Sequence, residues 1–146
     1  MSMNEFNPIG EIEKSEVILV DGKWPSFHDA EVHFISYWKG DIRPEEDVWI
    51  GPTIEIDFEL CALKDPFFTK IAFYDCTSID LNVDNPDNMM YDLVFSYEER
   101  GTYTNGKPLP PYIVVEFKDT FGLHMSFKCM QIRIIERYEH VRSKVT

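Results

Sequence analysis

The densest group of residues that could bind a metal or take part in catalysis lies in the segment Trp-Pro-Ser-Phe-His-Asp-Ala-Glu-Val at positions 24–32 and just beyond it. Two imidazoles and two carboxylates fall there within six residues: His28, Asp29, Glu31 and His33. Such nitrogen and oxygen donors bind divalent metal ions, and a histidine beside a carboxylate can act as a general base. On a regular strand Glu31 and His33 share a face, whereas His28 and His33 lie on opposite faces.

The remaining residues do not complete a catalytic signature. No Ser or Cys lies in a recognisable nucleophile motif, and the glycines form no phosphate-binding loop. The three cysteines are too few and too scattered for a disulfide framework or a C-x-x-C pair: Cys61, Cys76 and Cys129. We therefore predict no catalytic residue, no metal and no cofactor. The alternative is a small metal-dependent or His/Asp hydrolase centred on residues 28–33.

A structural role for the same segment is the simpler interpretation. Trp24 and Phe27 would pack beneath a loop, and His28 or Asp29 would bond to the backbone where that loop enters a strand. Pro25 favours a turn at this point because it fixes its own φ and extends the preceding residue.

Period-two alternation predicts the strands that must position these residues. In 31–38 it assigns Val32, Phe34, Ser36 and Trp38 to one face. In 53–63 the apolar positions alternate with a second set, which we expect to form an acidic, solvated face with a possible exposed but inert thiol: Glu55, Asp57, Glu59 and Cys61.

The whole chain contains about eight such segments, spaced roughly ten residues apart, and no long helical pattern. We predict a mainly β, single-domain antiparallel β-sandwich or partly open barrel with little helix. The domain spans 1–146, with an irregular or short helical lead-in at 1–16 and a basic tail at 139–146. The start carries no signal-peptide pattern and no run of 18 apolar residues follows, which favours a cytoplasmic location.

The charge is strongly negative and unevenly distributed. The formal net charge is -12 and the pI is about 4.6. Residues 71–99 contain seven acids and no Lys or Arg, and residues 41–59 contain seven acids against Arg43 alone. A field of this sign repels nucleic acid and anionic lipid and attracts basic proteins.

Several motifs resemble the immunity protein 50 family of bacterial polymorphic-toxin systems. The first is the segment at 24–32, in which Trp24, Pro25, Phe27, His28, Asp29 and Glu31 carry the match. The later ones are Tyr91-Asp92-Leu93 after an Asn-containing turn, and Gly122, Phe127 and Cys129 before an Ile-rich strand beginning near Ile132. The match spans roughly residues 20–138 and departs from the family in the acidic 40–60 region. The resemblance implies a cytoplasmic protein that binds and neutralises a cognate toxin, and it implies no catalytic residue.

Charge and resemblance together predict a non-enzymatic inhibitor of a basic toxin, such as a nuclease. We expect the partner contacts on the acidic segment and one aromatic anchor: Asp41, Glu45, Glu46, Asp47, Trp49, Glu55, Asp57 and Glu59. A further alternative is a small-ligand-binding β-barrel, which requires a pocket lined by Phe and Tyr. The oligomeric state does not follow from the sequence.

Overall fold

Two antiparallel β-sheets face each other in the computed structural model, which describes residues 5–43, 48–84, 89–90, 92–118 and 122–139. The elements, in chain order, are α1 (Pro8–Glu11), a 3-10 turn (Ser15–Val17), β1 (Ala30–Trp38), β2 (Asp41–Arg43), β3 (Val48–Ile50), β4 (Thr53–Glu59), β5 (Phe68–Tyr74), β6 (Thr77–Val83), β7 (Met89–Met90), β8 (Asp92–Glu98), β9 (Tyr112–Lys118), β10 (Leu123–Cys129) and β11 (Gln131–Tyr138). The predicted mainly β architecture is confirmed, with antiparallel sheets of five and four strands.

Neighbouring strands are antiparallel, and several of them are distant along the chain, such as β5 with β11 and β6 with β10. The first sheet has the order β11-β5-β4-β1-β7 and the second the order β6-β10-β9-β8, while β2 and β3 form a separate hairpin. The two sheets meet where β5 leads into β6 and β10 leads into β11. Tyr74 at the end of β5 pairs with Gln131 in the first sheet, and Thr77 at the start of β6 pairs with Lys128 in the second. This corner joins the two sheets along one side.

Aromatic side chains fill the space between the sheets. Phe58 of β4 meets the Phe27 ring edge-on at 5.3 Å and the Phe117 ring at 5.8 Å. On the β5 side, Phe73 meets Phe127 at 4.9 Å. All five rings are buried, and for the four that lie in strands this agrees with the alternation of apolar residues.

The predicted lead-in contributes to the core. Asn7 caps α1 through its side-chain oxygen, which accepts a hydrogen bond from the Ile9 amide at 3.2 Å, and Pro8 occupies the first turn, where its missing N–H costs nothing. Phe6, Ile12 and Ile18 on either side of these short helices are buried in the main cluster.

Because β1 contains a β-bulge, its side chains are divided between the two faces differently from the prediction. Val32 pairs with Phe58, but Phe34 then pairs with Asp57, so the extra residue at His33 reverses the alternation. As a result Ile35 packs against the core on the same side as Val32, and the prediction that Phe34 shares the Val32 face was wrong.

The strand predicted for 53–63 is shorter than expected. β4 ends at Glu59, and Cys61 follows in a turn. The Leu60 amide donates to the Phe67 carbonyl at 2.9 Å, which closes the connection to β5.

Replacing Phe58 with Ala should lower the free energy of unfolding by about 3–5 kcal/mol, because the cavity left between Phe27 and Phe117 cannot close. Urea denaturation monitored by tryptophan fluorescence measures this loss. The control is Tyr103→Ala at a half-exposed loop position, which should change the value by about 0.5 kcal/mol or less. Equal losses in the two variants would contradict the packing described for Phe58.

Candidate functional site

The 24–32 segment forms the turn that leads into β1. Phe27 is buried against Trp24, with the two rings stacked at 5.7 Å. The Ala30 amide donates to the Phe27 carbonyl at 3.0 Å, closing a turn over His28 and Asp29. Asp29 takes a left-handed conformation with φ 62°, which Asp adopts more readily than most residues. Phe27 and Ala30 therefore shape the entry to the strand.

His28 and Asp29 project from this turn with about half of each side chain exposed. His28 Nδ1 lies 3.7 Å from Asp29 Oδ1, which is longer than a hydrogen bond. The backbone amides in this turn are anchored: that of His28 donates to Ser26 Oγ at 3.1 Å, and that of Asp29 donates to the Met90 carbonyl at 2.9 Å.

His33 lies instead between two carboxylates on neighbouring strands. Its Nε2 donates to Glu59 Oε1 at 2.9 Å and lies 3.7 Å from Glu31 Oε2. Glu31 and Glu59 are directly opposite each other in the β1–β4 register, and the His33 ring meets Phe68 edge-on at 5.3 Å. The expectation that Glu31 and His33 meet at one place agrees with this geometry, and Glu59 supplies the partner from the second strand.

Cys61 completes this group, which we call the strand-end cluster: Glu31, His33, Glu59 and Cys61. The Cys61 sulfur and one carboxylate oxygen of each glutamate lie within 4.8 Å of one another. Cys61 is half-buried rather than exposed. Burial, and then the negative charges of Glu59 and Glu31, raise the pKa of the Cys61 thiol to about 11.

The sequence did not reveal this cluster because its two halves are far apart along the chain. The signal that could have found it is the spacing of Glu59 and Cys61, which repeats the two-residue spacing of Glu31 and His33. Without the strand pairing, nothing in the sequence links the two pairs.

The predicted acidic contact residues fall into three groups. Glu45, Glu46 and Asp47 lie outside the described residues, as does the side chain of Trp49. Asp41 is exposed, while Glu55 and Glu59 are half-buried. Asp57 is buried, with a relative exposure of 3%, so the expectation of a solvated acidic face was wrong at this position.

Asp57 is buried because side chains from β5 and β11 cover it. Tyr138 reaches across β5 and its hydroxyl donates to Asp57 Oδ2 at 2.8 Å, and its ring stacks on Phe68 at 5.2 Å. Lys70 Nζ lies 4.0 Å from Asp57 Oδ1. The carboxylate thus has both a hydrogen-bond donor and a cation, as a buried charge requires.

An apolar strand lies exposed at one edge of the second sheet. β6 pairs with β10 on one side, and no other described strand pairs with it. Ile79, Leu81 and Val83 are 41%, 45% and 55% exposed. The acids Asp80 and Asp84 are exposed in the same stretch. We call this strand with its flanking acids the β6 edge.

A groove of about 310 Å³ lies between the β6 edge and the first sheet. Its walls are apolar and consist of Ile35, Tyr37, Ile54, Ile79, Leu81 and Met125. The ligand-binding alternative expected walls of Phe and Tyr, whereas this groove has a single Tyr and otherwise Ile, Leu and Met.

The basic residues near the end of the chain lie beside acids. Lys128 pairs with Glu98, Arg133 lies 3.9 Å from Glu13, and Arg137 lies 3.3 Å from Glu139. The last part of the predicted basic tail, 140–146, lies outside the described residues.

Comparisons with protein-family profiles, with curated proteins and with solved structures found no match to this chain. Among the described residues, no helix combines the length and the apolar character needed to cross a membrane.

Alkylation of Cys61 by iodoacetamide should be slow at pH 8, because a pKa of about 11 in place of 9.0 lowers the thiolate fraction about 100-fold. The rate should rise with pH up to that pKa. Glu59→Gln removes a charge that disfavours the thiolate and should speed the reaction, while Glu98→Gln should not. Peptide mass spectrometry assigns the label to Cys61. A rate at pH 8 equal to that of a free cysteine peptide would contradict the shift.

Tyr138→Phe should lower the free energy of unfolding by about 1.5–3 kcal/mol, because it removes the hydrogen bond to a buried carboxylate. Tyr37→Phe, at an exposed position, is the matched control and should have little effect. Urea denaturation of both variants measures the difference. If both variants were equally stable, Asp57 would not depend on Tyr138.

Proposed function

We propose that this chain is an immunity protein, a β-rich domain that binds and neutralises a bacterial toxin with a basic surface, such as a nuclease. The observation that carries the proposal is the β6 edge, where an exposed apolar strand and exposed carboxylates lie beside an apolar groove. The resemblance of residues 24–32 and of the later motifs to the immunity protein 50 family points in the same direction.

An apolar edge strand is a surface suited to pairing with another chain. Unpaired strand edges readily accept a further strand, and proteins usually protect them with charges, bulges or covering elements. Here the three apolar side chains of β6 remain 41–55% exposed. A partner segment in extended conformation would hydrogen-bond to the β6 backbone and place alternate side chains in the groove.

The charge around β6 favours a basic partner. Asp80 and Asp84 have no Lys, Arg or His within 4.0 Å among the described residues. Residues 71–99 contain no Lys or Arg at all. Cationic side chains on either side of an incoming strand would therefore meet unneutralised carboxylates, which speeds association and disfavours acidic competitors.

Self-association through this edge is disfavoured by the same charges. Two copies pairing along β6 would each carry a net charge of -12 and would bring Asp80 and Asp84 of both copies to one surface, which like-charge repulsion opposes.

The partner is to be captured from host lysate at low salt and tested, once purified, for loss of toxic activity on titration with this protein. We expect complete inhibition at one equivalent. At low salt, Asp80→Lys with Asp84→Lys should slow association about tenfold or more. The control pair, Glu16→Lys with Asp65→Lys, makes the same change in net charge at exposed positions away from β6.

Two outcomes would count against the proposal in different ways. A captured partner whose activity persists with excess protein would contradict the immunity function itself. If the β6 double variant and the control double variant slowed association equally, the immunity function would stand. The β6 edge would then not be part of the interface with the toxin.

A further inference from the structure

The strand-end cluster places two like charges face to face with limited compensation. Glu31 and Glu59 are cross-strand partners, and like charges at directly opposed positions destabilise a sheet. Within the described residues, His33 is the one basic side chain within 4.0 Å of either carboxylate. The β1 bulge at His33 lies at this point of the register. A bound cation would relieve the repulsion.

The donor atoms come from different chemical classes, which distinguishes this cluster from a group of acids. The sulfur of Cys61 and the oxygens of Glu31 and Glu59 lie within 4.8 Å of one another. All three residues are half-buried, so the volume between them is neither sealed nor freely exposed. The His33 Nε2 hydrogen-bonds to Glu59 at 2.9 Å and lies 3.7 Å from Glu31.

We propose that Glu31, Glu59 and Cys61 form a binding site for a divalent transition-metal ion with the preferences of Zn²⁺, and that His33 positions the carboxylate of Glu59. This site is independent of the toxin-binding proposal. A thiolate selects zinc-like ions over Mg²⁺ and Ca²⁺, while the carboxylates suit the same borderline ion. Three protein ligands leave one tetrahedral position open to water.

The distances suit this assignment. Zinc–sulfur bonds of about 2.3 Å and zinc–oxygen bonds of about 2.0–2.2 Å in tetrahedral geometry place neighbouring ligand atoms about 3.3–3.7 Å apart. The three donor atoms already lie within 4.8 Å of one another.

Binding must displace the thiol proton. The S–H bond of Cys61 breaks, a sulfur–metal bond forms, and the proton leaves to solvent. No electron is transferred and no further reactant is needed. The ion brings two positive charges to a site that then holds two carboxylates and one thiolate.

His33 acts through Glu59 rather than as a ligand. Its Nε2 donates to Glu59 Oε1 at 2.9 Å, which fixes the orientation of that carboxylate, and lies 3.7 Å from Glu31 Oε2. Residues that orient metal ligands in this way typically contribute about 10–100-fold to metal affinity. His33→Ala should therefore weaken binding without removing the sulfur ligand.

The test uses the full-length, reduced, untagged and metal-free protein. Titration with Co²⁺ should produce a thiolate-to-cobalt charge-transfer band that saturates at one equivalent and disappears when one equivalent of Zn²⁺ is added. Cys61→Ser should lose the band, Glu59→Gln should weaken binding at least tenfold, and His33→Ala should keep the band at about 10–100-fold lower affinity.

Matched variants separate this site from general metal adsorption. Glu98→Gln and His124→Ala change exposed residues outside the strand-end cluster and should leave the titration unchanged. Zn²⁺ should also raise the melting temperature of the wild-type protein and of these controls, but not that of Cys61→Ser. That readout shows whether each variant still folds.

The absence of a charge-transfer band at equimolar Co²⁺ would overturn the proposal. A band that persisted in folded Cys61→Ser would also overturn it. A His33→Ala variant with wild-type affinity would remove the positioning role of His33.

Discussion

The pairing of β1 with β4, interrupted by the bulge at His33, is the constraint on which both surface features of this protein depend. Without the extra residue, Val32 and Ile35 could not both face the core across Phe58 and Ile56. The bulge resolves that conflict and leaves His33 beside Glu59. The strand-end cluster thus results from the way in which the apolar residues of β1 pack into the core.

The environment of the side chains on β1 and β4 changes along the two strands. At one end, Glu31 and Glu59 meet at the strand-end cluster, and near the other end Tyr37 and Ile54 line the apolar groove. Between them, Asp57 is buried under Tyr138. The strand-end cluster and the apolar groove can therefore coexist on one strand pair, because they lie at different ends and on opposite faces of it.

The sequence predicted the fold well because strand periodicity is a local property. The strand predicted at 31–38 is observed as Ala30–Trp38, the strand predicted from residue 53 begins at Thr53, and the burial of Ile54, Ile56 and Phe58 followed from alternation. Features that depend on pairing between distant strands were not anticipated. The bulge, the burial of Asp57 beneath Tyr138 and the meeting of Glu31 with Cys61 each involve residues that no local pattern connects.

The measurement that tests this arrangement most directly is the β1–β4 register, read from backbone nuclear Overhauser effects in solution. Contacts between Ile35 and Ile56, together with contacts between Glu31 and Glu59, are predicted by the bulged pairing. Contacts of Ile35 with Glu55 and of His33 with Asp57 would indicate a regular strand. In that case His33 would not lie between the two carboxylates, and the strand-end cluster would not exist as described.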